Sequence, residues 1–123
     1  MRDKETIETA LNAAETGHLV FPTMHTGNVI EAVDRILQYF PSEQQIQINA
    51  QLANCFEGVI AQRLMPTTDG GRIAALEILT RTPAIVNLIR SGQAHQLKSY
   101  MIGNGMQTME DAIKGLQQRR IIG

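Results

Sequence analysis

The chain has 123 residues, with 11 lysines and arginines against 12 acidic residues and a formal net charge of -1. This length suits one domain with its own core, and the 43% hydrophobic and 19% charged fractions exclude a disordered chain. The balanced charge argues against a dedicated nucleic-acid binder, and the single cysteine, Cys55, excludes an internal disulfide. Neither a membrane-spanning run nor a secretory signal is visible, which predicts a cytoplasmic protein.

The first predicted element is a helix that begins after Asp3, whose carboxylate suits an N-cap, and that ends at Gly17. An apolar run over 18–24, bounded by Gly17 and by a turn at 26–28, predicts a strand buried on both faces. Pro22 is unfavourable inside such a strand, because proline cannot donate to a ladder.

Two consecutive helices are predicted next. Residues 28–40 alternate apolar and charged side chains at helical spacing, and Pro41 ends this helix. Ser42 and Gln45 form a capping-box pattern, which predicts the start of a second helix that runs to about Phe56.

Strands over 59–65 and 72–80 flank a glycine-containing turn and predict a β-hairpin. Thr82, followed by proline, predicts the N-cap of a further helix, and helices are also predicted over 93–102 and from Thr108. Because a buried strand needs neighbours for its backbone hydrogen bonds, we expect these elements to be part of a larger sheet. The rest of that sheet would come from a longer protein of which this chain is the C-terminal part, or from elsewhere.

Among the histidines, His25 is the strongest candidate for chemistry. It lies at the C-terminal end of the predicted strand, where open α/β sheets bind ligands, and it could donate to an anion such as phosphate, with Thr23 and Thr26 adding hydroxyls. A structural histidine is the alternative. His18 lies an odd number of residues away, on the opposite face of a regular strand, so no shared metal site is expected. His95 is predicted to be a surface residue.

Other sources of chemistry are weak. No stretch matches the phosphate-binding pattern G-x-x-x-x-G-K-[ST], so the chain alone is not expected to bind nucleotide in that way. Cys55, near a helix end, is predicted to be a buried, unreactive thiol. The charge is uneven, with eight acids and three bases in 1–57 and four acids and eight bases in 58–123. This is either ordinary scatter or a pair of complementary faces that steer association.

Five segments, in order along the whole chain, carry specific motifs. Residues 15–26, E-T-G-H-L-V-F-P-T-M-H-T, match a histidine box, E-T-G-H-L-V-x-x-T-L-H-T. Residues 1–3 match the end of a Walker B segment, 34–45 match D-R-I…F-P-x-E-Q-Q, 84–90 match A-I-R-N-L-I-R-E, and 105–109 match G-M-Q-T-M. Together they resemble the type IV pilus retraction motors, the PilT-type twitching-motility ATPases of the secretion ATPase superfamily.

The resemblance implies an α/β fold, the C-terminal part of a RecA-like P-loop motor domain. Residues 1–81 would be the rear part of the ATPase core, with the histidine box and the hairpin, and 82–123 a C-terminal helical subdomain. The Walker A loop and the catalytic glutamate would lie upstream. Val86 and Ser91 depart from the retraction motif, and Pro22 departs from the histidine box. The lone Cys55 fits the retraction branch, because the extension motors carry a four-cysteine zinc module.

The resemblance also implies site residues. His25 matches the histidine near the γ-phosphate, and His18 would support the box from the other end of the strand. Thr23 and Thr26 would take nucleotide-binding roles beside it. The matching positions of the retraction motif are Ala84, Ile85, Asn87, Leu88, Ile89 and Arg90.

The activity implied for the parent protein is hydrolysis of ATP to ADP and phosphate, coupled to type IV pilus retraction. ATP and Mg would be the parent's cofactors, with none for this chain alone, which would be inactive. The implied partners are other copies in a homo-oligomeric ring, a hexamer, and pilus base proteins at the inner membrane, with no nucleic acid and no membrane span. The implied location is cytoplasmic, peripheral to that membrane. A non-catalytic interaction module that docks through its charge-asymmetric faces remains the alternative.

Overall fold

The computed structural model describes residues 3–18 and 26–123. Apart from His18, the strand predicted over 18–24 lies outside these residues, as do Thr23 and His25. The elements in chain order are α1 (Lys4–Glu15), α2 (Val29–Gln38), α3 (Ser42–Cys55), β1 (Gly58–Pro66), β2 (Arg72–Thr80), α4 (Pro83–Arg90), a 3-10 turn (Ala94–Gln96), α5 (Leu97–Met101) and α6 (Met109–Gln118).

Short polar side chains cap three of the helices where the sequence predicts them. Asp3 accepts a hydrogen bond from the Thr6 amide at 2.8 Å, and Thr82 and Thr108 each accept one from the amide three residues later, both at 3.2 Å. These bonds satisfy N–H groups that have no partner inside a helix. At the end of α1, Gly17 has φ +93°, the left-handed conformation that favours glycine there.

The capping box predicted at Ser42 and Gln45 is wrong. Ser42 is the first helical residue, and the N-cap is Pro41, which makes no side-chain cap bond. The extended backbone of Pro41 sets the start of α3 one residue earlier than the pattern requires. Gln45 instead turns back to α2, where its amide donates to the carbonyls of Leu37 at 3.1 Å and Phe40 at 3.2 Å. Gln45 therefore ties the start of α3 to the end of α2; the Leu37 carbonyl also accepts the Phe40 amide at 3.0 Å.

The single helix predicted over 93–102 is also wrong, because the chain forms two shorter pieces there. Gly92, with φ +73°, ends α4, and the Gln93 amide folds back to the Leu88 carbonyl at 2.8 Å. The Gln96 amide then bonds to the Gln93 carbonyl at 2.9 Å. This tight pattern, in which donor and acceptor are three positions apart, makes a 3-10 turn before the short α5 begins.

The predicted β-hairpin is confirmed and slightly longer than expected in its first strand. The antiparallel register runs without a bulge from Gly58 opposite Thr80 to Pro66 opposite Arg72. One face of the hairpin packs against helices. The other face leaves Ile60 exposed by 68% and Leu64 by 55% of their surface. Within the described residues these two strands form a two-stranded sheet, and the larger sheet expected from the sequence stays a prediction.

Three apolar clusters hold the elements together. The main core lies between α2, the hairpin, α4 and α5, and its largest members are Val29, Val33, Phe56, Leu79, Ile85, Ile89, Leu97 and Met101. A second cluster joins α1 to α2 and α3 through Ile7, Leu11, Ile36, Phe40 and Ile48. A third packs α6 on the hairpin through Ala75, Met109, Leu116 and Ile122. The main core therefore joins residues from the first helical pair to those beyond the hairpin.

The last residues return to the hairpin turn. The Thr68 amide donates to the Ile121 carbonyl at 2.9 Å, and its hydroxyl donates to the Arg120 carbonyl at 3.3 Å. Thr67 pairs with Ile122 as an isolated antiparallel bridge. Ile122 is 4% exposed, so this C-terminal strap adds to the third cluster as well as to the turn.

Cys55, the last residue of α3, is half-buried rather than fully buried as predicted. Its Sγ lies 3.8 Å from the Leu52 carbonyl. Burial, followed by the nearby Glu15 carboxylate, raises the pKa of the thiol, and the Arg81 guanidinium opposes this shift. Because the thiolate is the nucleophile, a raised pKa makes the thiol less reactive near neutral pH.

Two glycine substitutions are expected to act in opposite directions. Gly17→Ala meets no atom within 4 Å, but its positive φ costs an alanine about 1–2 kcal/mol. Gly115 in α6 also has open space, and Gly115→Ala is expected to stabilise by about 0.5–1 kcal/mol because alanine loses less backbone entropy in a helix. Urea unfolding of both variants measures the change in the free energy of unfolding. A stabilising Gly17→Ala would contradict the left-handed conformation of Gly17 at the end of α1.

The Cys55 thiol is expected to react with iodoacetamide more slowly than a free cysteine at pH 7.5. The rate is expected to rise with pH through a midpoint above the ordinary thiol value of 9.0, because only the thiolate reacts. The same measurement in guanidinium chloride is the control, since unfolding removes the burial. Equal rates in the folded and unfolded chains would show that the thiol is not perturbed.

Candidate functional site

The described part of the histidine box (residues 15–26) begins at the end of α1. The Thr16 hydroxyl donates to the carbonyls of Asn12 and Ala13, each at 3.1 Å. The Nδ1 atom of His18 lies 3.3 Å from the Ala13 carbonyl oxygen and 3.2 Å from Thr16 Oγ1. Because a carbonyl oxygen only accepts, we assign a ring proton to Nδ1. His18 is exposed and is held by the end of α1.

A side chain of α3 fixes this same end of α1. The Gln51 amide donates to Asn12 Oδ1 at 2.9 Å and to Glu15 Oε2 at 3.3 Å. Glu15 is the first residue of the histidine box. The entrance to the box is therefore positioned by α3 as well as by its own helix.

The box leads into the start of α2. Thr26 is half-buried, and the next amide, that of Gly27, donates to Glu31 Oε2 at 3.3 Å. The Glu31 amide in turn donates to Asn28 Oδ1 at 2.8 Å. This reciprocal arrangement resembles a capping box and places a carboxylate at the positive end of the helix. It gives the exit from the box a defined geometry.

A buried carboxylate that the sequence reasoning missed lies below this exit. Glu77, on β2 opposite Ala61, is 4% exposed. Its Oε1 accepts a hydrogen bond from the Val29 amide at 2.7 Å, and its Oε2 accepts one from the Met109 amide at 2.9 Å. Val29 and Met109 are the first residues of α2 and α6. The sequence does show an acidic residue at an inward-facing position of a strand. A buried charge needs hydrogen-bond partners, so this position could have been singled out.

A shallow cleft opens beside Glu77 and is lined by Asn28, Ile30, Arg63, Glu77, Lys98, Met109, Glu110 and Ile113. Lys98 Nζ lies 2.5 Å from Glu110 Oε1. This hydrogen bond raises the pKa of Lys98 and lowers the pKa of Glu110, although both groups are exposed to solvent. Arg63 Nη2 lies 3.8 Å from the point where a Cβ on Gly27 would be. Arg63 therefore lies next to the exit of the histidine box, in a cleft that holds two basic and two acidic side chains.

The retraction-motif residues on α4 divide between the interior and the surface. Ile85 and Ile89 are buried in the main core, with 0% and 1% exposure. Arg90 Nη2 donates to Asn54 Oδ1 at 2.9 Å, which ties α4 to α3. A surface groove beside this helix is lined by Ala84, Asn87, Leu88, Gln96, Ser99 and Tyr100.

Arg81 is a second contact that the sequence reasoning missed. Its Nη1 donates to the carbonyls of Ala53 at 2.9 Å and Phe56 at 2.8 Å. Its guanidinium carbon lies 5.4 Å from the centre of the Phe56 ring, within the range of a cation–π contact. Arg81 thus holds the end of α3 next to the point where the hairpin runs into α4.

Among the predicted site residues, the structure places His18 at the end of α1, Thr26 before α2, and the retraction motif on α4. Within residues 3–18 and 26–123, no three His, Cys, Asp or Glu side chains are grouped as metal ligands would be. Over the same ranges, no helix is both long and apolar enough to cross a bilayer.

Comparison with known proteins gives consistent matches along the chain. The family described as "Type II/IV secretion system protein" matches residues 1–70. The "Type IV pilus retractation ATPase PilT" of Pseudomonas aeruginosa is 44% identical over 99% of this chain and 36% of its own length. The "Twitching motility protein" of Neisseria gonorrhoeae is also 44% identical, over 99% of this chain and 34% of its own length.

Solved structures agree with these matches. The crystal structure of the pilus retraction motor PilT with bound ADP is 46% identical, covers 100% of this chain and 35% of its own, and has a TM-score of 0.91. The Legionella pneumophila ATPase DotB is 30% identical, covers 100% of this chain and 34% of its own, and has a TM-score of 0.86. The α/β expectation is confirmed, and the likeness is consistent with part of a RecA-like ATPase.

The chain spans about a third of the length of the relatives it matches. The family match covers more than half of the chain, and the matches to retraction ATPases extend over nearly all of it. The chain therefore belongs to the Type II/IV secretion system protein family, as a PilT-type member.

Proposed function

We propose that this chain is part of a motor ATPase that couples ATP hydrolysis to type IV pilus retraction, as in twitching motility. The observation that carries the proposal is the match of 100% of the chain, at 46% identity and a TM-score of 0.91, to a pilus retraction motor with bound ADP. The bound ADP of that relative supports nucleotide binding by the parent, and we propose Mg as the ion that accompanies the nucleotide. The chain alone lacks the G-x-x-x-x-G-K-[ST] loop and is proposed to be inactive.

In this proposal His25 contacts the γ-phosphate, and Thr23 and Thr26 supply neighbouring hydroxyls. An imidazole N–H aimed at the transferring phosphoryl group would stabilise the charge that develops there. His18 would support the box from its entrance, where α1 and Thr16 hold its ring. The fixed entrance at α1 and the fixed exit at α2 support a box that is held in place at both ends.

The parent is further proposed to act as a ring of identical subunits, a hexamer, in the cytoplasm beside the inner membrane, where pilus base proteins would be its partners. Residues 1–81 would belong to the ATPase core and 82–123 to a helical subdomain. The exposed side of the retraction motif, with Ala84, Asn87 and Leu88 along the groove beside α4, is the proposed contact surface. Ile85 and Ile89 would act by keeping that helix in place.

A non-catalytic interaction module is the second candidate, favoured by the uneven charge of the two halves of the chain. Complementary faces can steer association without any chemistry. Hydrolysis measurements on a full-length motor that carries this segment separate the two candidates.

The direct test is a chimera in which this chain replaces the corresponding third of the Pseudomonas relative. His25→Ala is expected to lower the kcat for ATP by about a hundredfold or more, because it removes a donor to the developing charge. The KM for ATP is expected to change much less. Steady-state phosphate release measures both constants.

His95→Ala is the matched control, because His95 is exposed on the 3-10 turn outside every proposed site. It is expected to leave turnover unchanged. Turnover of the His25→Ala chimera within about twofold of the unsubstituted chimera would remove His25 from the site, since a lost charge-stabilising donor has a much larger effect.

Calorimetric titration of the 123-residue chain with Mg-ATP tests the proposal that the phosphate-binding loop of the motor lies outside this chain. No saturable binding is expected up to about 100 µM nucleotide, because the chain has no phosphate-cradling loop. Micromolar binding by the chain alone would contradict the proposal.

A further inference from the structure

Glu77 differs from an ordinary helix cap because it serves two helices at once. A usual capping side chain lies next to the helix it caps, as Asp3, Thr82 and Thr108 do here. Glu77 lies on a strand, 48 residues from Val29 and 32 residues from Met109 along the chain. Each of its two oxygens accepts a hydrogen bond from the amide of the first residue of a different helix. A single buried negative charge therefore faces the positive ends of α2 and α6 together.

The base of this contact is rigid. Glu77 stands in the middle of a hairpin whose nine pairs run in continuous register, so the strand cannot slide to follow one helix. The residue is 4% exposed, so water cannot readily replace a lost partner. A buried carboxylate that loses one of its two donors pays a desolvation cost that a surface group avoids. If one helix start moves and Glu77 moves with it, the hydrogen bond from Glu77 to the other helix start is therefore strained or lost.

We propose that Glu77 is a positioning residue that couples the start of α2, four residues beyond His25, to the start of α6. In this role Glu77 transmits a change at the exit of the histidine box to the C-terminal helix. The kinetic consequence rests on the proposed function, whereas the coupling itself is a property of the folded chain.

Amide hydrogen exchange in the 123-residue chain measures the coupling directly. Asn28→Ala removes the side-chain cap of α2, and Thr108→Ala removes that of α6. Asn28→Ala is expected to speed exchange of the Met109 amide, on the other helix, by at least about threefold, and Thr108→Ala to speed exchange of the Val29 amide similarly, because local opening is shared. Thr82→Ala opens α4, which Glu77 does not bond, and is expected to change neither amide.

Glu77→Gln tests whether the carboxylate carries this effect. Glutamine has the same shape, but an NH2 donor replaces one of the two oxygens, so one of the two helix amides would face a donor in place of its acceptor. At least one of the Val29 and Met109 amides is expected to exchange about tenfold faster or more. The cross-effects of the two cap substitutions are expected to disappear in this background. Glu57→Gln, the same change at an exposed position outside the cleft and both helices, is the matched control and is expected to preserve the cross-effects.

Two results overturn the proposal. One is that a cap substitution, made with Glu77 intact, changes the exchange rate only of the amide on its own helix. The other is a cross-effect that persists in Glu77→Gln. Should Glu77→Gln unfold the chain, the first comparison, made with Glu77 intact, still decides.

In the chimera, Glu77→Gln is expected to lower the kcat for ATP at least about fivefold and to leave the KM within about twofold, as expected for an interaction that matters only in turnover. Glu57→Gln is expected to change neither constant. An inactive unsubstituted chimera would count against the proposed function and not against the coupling, which hydrogen exchange decides separately. An active chimera whose kcat is unchanged by Glu77→Gln would overturn the transmission role of Glu77.

Discussion

The arrangement of this chain depends on one buried carboxylate. Glu77 is charged, nearly inaccessible to solvent, and bonded to two amides at the starts of two helices. The cost of burying such a charge is offset only when both oxygens keep their donors. This requirement fixes the distance of α2 and α6 from the hairpin, and with it the path of the chain as it leaves the histidine box.

Around this constraint, side chains from distant parts of the sequence close the open ends of the helices. Gln45 from α3 takes two carbonyls at the end of α2, and Arg81 takes two at the end of α3. Gln51 fixes the end of α1. The apolar clusters supply most of the stabilising burial, whereas these polar contacts determine where each helix begins and ends. The candidate site lies among helix ends that are held in this way.

The features that the sequence predicted well are those written within a few neighbouring residues. Asp3, Thr82 and Thr108 cap the amide three residues ahead, and the two strands of the hairpin are adjacent in the chain. Local patterns carry this information because donor and acceptor are separated by less than one helical turn. The motif spacing also identified the family, since five collinear matches are far more specific than any one of them.

The missed features depend on contacts between distant residues. Glu77 gave only the signal of an acid at an inward strand position, and nothing near it in sequence indicates two helix starts as its partners. Ser42 and Gln45 matched a local capping pattern. In the structure Pro41 is the N-cap of α3, and the Gln45 side chain donates to a carbonyl at the end of α2 instead. The groove that Ala84 and Asn87 line also depends on side chains of α5, which the retraction motif does not contain.

The return of the last residues to the hairpin turn has a consequence for how the protein is made. The Thr68 hydroxyl donates to a carbonyl that lies 52 positions later in the chain. During synthesis the hairpin turn therefore emerges from the ribosome long before its hydrogen-bond partner does. Until Arg120 and Ile121 are released, the tip of the hairpin lacks these bonds and the buried place of Ile122 is empty. Loss of even a few terminal residues would leave the nascent hairpin in that unfinished condition permanently.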